Sequence, residues 1–88
     1  MATVWIPAPL RDLTGGQDKV DVAGARVSQI IDGLDRQFPG IRVRLCDAAG
    51  LKAGIAVFVG HERAPLGLLA PVEPESEVHF IPAIGGGA

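Results

Sequence analysis

Hydrophobic positions along this chain switch period twice, from two to about 3.6 and back to two, and each switch marks an element. Thr3-Val4-Trp5-Ile6 is β-branched and aromatic, which predicts a strand with Val4 and Ile6 on one face and Trp5 on the other. Pro7 and Pro9 then end regular pairing, because neither can donate to a ladder. Leu10 to Gly16 reads as a long hairpin loop, since the Gly15-Gly16 pair allows positive φ where the chain reverses. In Gln17 to Val22 the valines alternate with charge, the pattern of a strand with one face on a core and the other in water.

From Val27 the period lengthens. Val27, Ile30, Ile31, Leu34 and Phe38 fall at i, i+3, i+4, i+7 and i+11, one stripe of a helix. Burying five such side chains against a sheet stabilises by about 1.5–3 kcal/mol each in transfer terms, before the entropy of ordering them is subtracted. Pro39-Gly40 predicts the stop, whereas Gly24-Ala25-Arg26 offers no capping side chain at the start. Ile41 to Leu45 alternates apolar with arginine and reads as a short strand or extended connection, and Asp47 to Gly50 reads as a turn.

The period then returns to two. Ile55, Val57 and Val59 face a core while Ala56 and Phe58 face away, and Gly60-His61 begins a turn. Leu66 to Val72 is apolar but broken by glycine and proline, which predicts an irregular connection with a short edge strand. After the polar turn at residues 73–77 comes the last strand, with Val78 and Phe80 inward and His79 and Ile81 outward. A hairpin, a crossing helix and later strands can place the final strand parallel to the first in mid-sheet. That predicts an α+β fold of β-grasp type, a mixed sheet of four to five strands packed on one main helix, with another small α+β sandwich as the alternative. Trp5, Phe58, His79 and Ile81 would then share one open face, and such patches mark interfaces.

Composition narrows the chemistry. Eighty-eight residues make one domain, here residues 1–84. The formal charge of −2, with eight basic residues scattered among ten acids, leaves no footprint for nucleic acid or anionic lipid. Apolar runs are too short to span a bilayer, and the start lacks an export signal, so a cytoplasmic protein is expected. The single cysteine, Cys46, excludes an internal disulfide and reads as a small packed residue. His61 and His79 are separated and lack a paired acid motif, so they read as solvated surface groups, with no metal site and no catalytic set. Gly15-Gly16 lacks the lysine of a phosphate loop. The last strand runs into Gly85-Gly86-Gly87-Ala88, which has almost no side chain and is expected to be a flexible thread able to enter a narrow channel on another protein.

Leu10-Arg11-Asp12-Leu13-Thr14-Gly15-Gly16-Gln17 before a valine strand, the helix ending Phe38-Pro39-Gly40-Ile41, Val57-Phe58-Val59, and Phe80 to Gly87 together resemble the ThiS/MoaD family. These are ubiquitin-like sulfur carriers, and the loop and tail are most similar to the molybdopterin-synthase small subunit and cysteine-pathway carrier branch. The resemblance implies a β-grasp fold and no catalysis or bound cofactor of its own. It further implies that an E1-like enzyme uses ATP to adenylate the carboxylate of Gly87, with Gly85 and Gly86 threading the enzyme's channel. Sulfur transfer would then give a thiocarboxylate for an acceptor enzyme such as a synthase. The family's chain ends on its second glycine, so Ala88 implies a trimming step by a metallopeptidase, unless the extra residue is tolerated. Two other readings keep the fold and change the outcome: a modifier conjugated to target lysines, and a plain interaction module.

Overall fold

The computed structural model describes residues 1–48, 50–52, 54–63 and 67–82. In chain order the elements are β1 (Ala2–Trp5), a 3-10 turn (Ala8–Leu10), β2 (Lys19–Val22), α1 (Val27–Gln37), α2 (Ile41–Leu45), β3 (Cys46–Asp47), β4 (Gly50–Leu51), β5 (Ile55–Val59), β6 (Glu62–Arg63), a second 3-10 turn (Gly67–Leu69) and β7 (Glu77–Pro82). Five strands form one mixed sheet in the order β2-β1-β7-β5-β6, and β3 pairs with β4 in a separate small hairpin. The terminal strands are neighbours: β1 runs parallel to β7 with Val4 opposite Val78, and antiparallel to β2 with Val4 opposite Val20. On its other edge β7 runs antiparallel to β5, Val57 opposite Phe80. This is the β-grasp arrangement, with one main helix across the sheet.

Alternation decides which face is covered. Val4, Val20, Val22, Val57, Val78 and Phe80 point inward and are buried, as are Val27, Ile30, Ile31 and Leu34 on the facing stripe of α1. Phe38, the fifth residue of that stripe, is half-buried against the same core. Helix and sheet touch closely at Gly33, where a Cβ would come within 2.5 Å of Val22 Cγ1. Glycine there brings the axis of α1 nearer to β2 than any larger residue would permit.

The start of α1, which has no cap at Arg26, is held from two sides, one distant and one local. Arg26 makes no side-chain cap, but Val27 N–H donates to the carbonyl of Ala70 at 3.0 Å, and Gln29 Oε1 accepts from Ala25 N–H at 2.7 Å. The second bond is half of a capping box, a side chain in the first turn reaching back to a preceding backbone donor.

Two expectations need correction. Ile41 to Leu45 is a short helix, not a strand: Ile41 and Leu45, four apart, are buried, while Val43 is 70% exposed. The alternation with arginine imitates a strand, yet Asp35 Oδ1 accepts from both Gly40 N–H and Arg42 N–H at 3.1 Å, supplying the cap from α1. Gly40 makes the corner with φ of +102°. The expected edge strand before Val72 is replaced by the 3-10 turn at Gly67–Leu69 and a lone bridge between Pro71 and Arg26. Gly67, at φ +56°, turns the backbone, and Val72 N–H donates to Ala25 O instead of entering the sheet.

Removing the Asp35 carboxylate therefore costs α2 its cap. Asp35→Ala is expected to lower stability by about 1 kcal/mol, read as a shifted urea midpoint at constant slope. An equal loss from Asp32→Ala, whose 3.5 Å pair with Arg42 is exposed, would show that surface charge and not capping is responsible.

Candidate functional site

Among the described residues no helix covers the outer face of the sheet, and its positions line up by register. Trp5 lies opposite Lys19 on β2 and opposite His79 on β7; His79 lies opposite Phe58 on β5, which in turn lies opposite Arg63 on β6. By backbone register one row thus crosses all five strands, with Trp5, His79 and Phe58 at its middle and Lys19 at the β2 end. Toward the end of β7 the next row pairs Ile81 with Ala56, and on the other side the row is Asp21, Thr3 and Glu77. The face grades from acidic to aromatic to aliphatic in the direction in which β7 leads toward the glycines.

Contacts within the row are close. The Trp5 and His79 rings stack with centroids 5.3 Å apart and planes 9° from parallel. Lys19 Nζ stands 5.1 Å from the Trp5 ring centroid, a cation on an aromatic face. His79 Nε2 lies 3.4 Å from Glu77 Oε1, and the Thr3 hydroxyl donates to Asp21 Oδ1 at 3.2 Å. The indole Nε1–H of Trp5 is shielded from solvent and has no acceptor among the described residues. An unmade hydrogen bond of this kind costs on the order of 1–3 kcal/mol.

The four residues expected on one open face, Trp5, Phe58, His79 and Ile81, are brought together. Ile81 is 47% exposed, a large aliphatic side chain in water beside three half-buried rings. His79 corrects the expectation of a solvated surface group, because stacking on Trp5 half-buries it; His61 is exposed as expected. Lys19 and Glu77 were not singled out from the sequence. Period-two parity assigns Lys19 and Glu77 to the outer face, but only the strand order makes them neighbours of Trp5 and His79. Gly85, Gly86, Gly87 and Ala88 lie outside the described residues, as does the boundary after residue 84.

Away from this face, Cys46 sits half-buried against the core, where burial pushes its thiol above the ordinary value despite the nearby Arg42 guanidinium. Among the described residues no three His, Cys, Asp or Glu side chains are grouped to hold an ion, and no helix is long and apolar enough to cross a membrane.

Residues 4–87 match the ThiS family, leaving Ala88 outside the match. The sulfur carrier protein CysO of Mycobacterium bovis is 33% identical over 90 residues, covering 97% of each chain. Among solved structures, the fold superposes with a TM-score of 0.92 on a chain of the Amycolatopsis orientalis BexX/CysO complex, 37% identical over 99% of this chain and 100% of that one. Mycobacterium tuberculosis CysO follows at 0.89, with 30% identity over 96% of this chain and 100% of the other. The small archaeal modifier protein SAMP1 of Methanosarcina acetivorans, 18% identical at a TM-score of 0.82 over 98% and 95% of the two chains, shares the fold.

Neighbouring positions on β5 separate docking from folding. Val57→Asp places an unpaired charge in the core and is expected to cost about 3–5 kcal/mol, a large part of a small domain's stability. Phe58→Asp, on the open face, is expected to cost less than about 2 kcal/mol by thermal unfolding while weakening partner binding. The reverse order of stabilities would invert the assignment of faces. For Cys46, the raised thiol value means less thiolate at a given pH. Iodoacetamide should therefore alkylate the folded chain more slowly than the urea-unfolded chain, with a rate midpoint at higher pH; a lower midpoint in the folded chain would contradict the burial.

Proposed function

The chain belongs to the ThiS family as a ubiquitin-like sulfur carrier, and we propose that the carboxylate of Gly87 is the group that carries the sulfur. The observation behind this is the near full-length likeness to CysO, together with a central strand that leads from an open docking face toward Gly85-Gly86-Gly87. In the proposed cycle an E1-like enzyme binds ATP, and a carboxylate oxygen of Gly87 attacks the α-phosphorus as pyrophosphate leaves. Hydrosulfide then attacks the acyl carbon, AMP departs, and a thiocarboxylate remains. Adenylation matters because a free carboxylate has no good leaving group, whereas AMP is one. ATP belongs to the enzyme's site, and an acceptor enzyme such as a synthase takes the sulfur.

The carrier's own contributions are recognition and reach. The row from Trp5 to Phe58, with Ile81 beyond it, would seat the enzyme, and the absence of side chains at Gly85 and Gly86 would let the backbone pass a narrow channel. While Ala88 is attached, the Gly87 carbonyl is an amide with no oxygen to give to ATP. A tail-trimming metallopeptidase would free it. Conjugation to lysines is the second reading, favoured by the 26% identity and TM-score of 0.75 to SAMP1 of Haloferax volcanii over 98% of each chain.

Incubated with ATP, hydrosulfide and the E1-like enzyme from the same genome, a chain ending at Gly87 is expected to gain the mass difference of one sulfur for one oxygen. A chain ending at Ala88 should remain unchanged, with both melting at the same temperature. Equal reaction with Ala88 still present would remove the trimming step, and isopeptide-linked products without thiocarboxylate would favour the modifier.

A further inference from the structure

One outer edge of the sheet is β2, and its pairing with β1 decides which of its backbone groups are left over. Ile6 N–H donates to Asp18 O at 2.8 Å, and in an antiparallel ladder every second pair is bonded, so the bonds between β1 and β2 fall at Val4–Val20 and Ala2–Val22. The pairs between them turn away from each other. Thr3 N–H donates across the other edge of β1 to Ser76 O at 3.0 Å, while its opposite residue Asp21 aims its N–H and C=O off the sheet, as Lys19 does. Both residues are exposed. Among the described residues only Gln37 Nε2 reaches this edge, 3.5 Å from Asp21 O, the outer limit of a hydrogen bond.

Charge selects the strand that fits there. Like charges directly opposite destabilise a ladder and opposite charges stabilise it. A second β2 laid antiparallel with Lys19 opposite Lys19, or Asp21 opposite Asp21, sets like charges together; centred on Val20, it sets each Lys19 opposite the other copy's Asp21. Those are the two residues with free backbone groups. An edge guarded against self-pairing carries charge of one sign, whereas alternating signs invite it.

We propose that the chain associates with a second copy of itself in this register, two five-stranded sheets joining edge to edge through β2. Each Lys19–Asp21 pair exchanges two backbone hydrogen bonds. The Asp21 carbonyl has a second lone pair if Gln37 stays, and the Thr3 hydroxyl occupies only Oδ1 of the carboxylate, leaving Oδ2 for the other copy's ammonium. The two-fold axis stands perpendicular to the sheet, so both outer faces lie on one side and both α1 helices on the other. Over β2 the flank of α1 carries Gln29, Gly33 and Gln37, spaced by four and uncharged, so two such flanks approach without repulsion. The interface is small and belongs to the weak class below about 1,200 Å². It is independent of the sulfur-carrier reading: β7 and its counterpart run in opposite directions, so the two chains leave Pro82 at opposite ends of the joined sheet.

Diluting the ¹⁵N-labelled full chain from millimolar to micromolar concentration tests the edge without a substitution. The amide protons of Lys19 and Asp21 should move upfield and exchange faster on dilution, and those of Val20 and Val22, already bonded to β1, should move less. In sedimentation equilibrium, Lys19→Glu and Asp21→Lys should each raise the dimer Kd about tenfold by setting like charges opposite. Asp21→Lys also brings the formal charge of −2 toward zero, so a general charge effect would strengthen association instead. Mixing the two variants, or combining both changes in one chain, should restore association, because opposite charges face each other again. A chain monomeric at millimolar concentration would overturn the proposal. So would a dimer indifferent to both single changes, a mixture that fails to recover, or dilution shifts confined to Phe58 and Ile81.

Discussion

Parallel pairing of the first strand with the last holds the molecule together. Val4 and Val78, opposite one another and fully buried, lie 74 positions apart in sequence (78 − 4 = 74), so almost the whole chain must be collapsed before they meet. Closing so long a segment is costly in entropy, and the return comes from burying both strands under α1. The register of that pair also creates the outer face. Shift it by one residue and Val78 would lie opposite Trp5 in place of His79, dismantling the aromatic stack and exposing an aliphatic core residue.

The helices show how much of the fold is written at a distance. Periodicity placed α1, and Pro39-Gly40 its end, but no cap stands at Arg26, and besides the local reach of Gln29 back to Ala25 the acceptor for Val27 N–H is the distant carbonyl of Ala70. The same holds for α2. Its alternating apolar and basic residues read as a strand, and the Asp35 carboxylate that fixes its first turn belongs to the preceding helix. In both cases a local rule was overridden by a hydrogen bond from outside the window in which the rule operates.

The outer face of the sheet was legible in parity and illegible in order. Alternation put Trp5, Phe58, His79 and Ile81 outward, a statement about each strand alone. That they form rows, with Lys19 closing one end, follows from the sequence β2-β1-β7-β5-β6, which depends on the crossover. Side-chain chemistry was harder still to foresee: that the Trp5 indole N–H finds no acceptor among the described residues is a property of its neighbours and not of its identity.

The central position of β7 also has a mechanical consequence. A partner that grips the glycines and pulls applies its load along the axis of a strand bonded on both edges, to β1 on one side and β5 on the other. Tension in that direction shears two ladders at once, so many hydrogen bonds must fail together, whereas an edge strand such as β2 or β6 could be peeled away bond by bond. The carrier can therefore be towed by its tail without being unravelled by it.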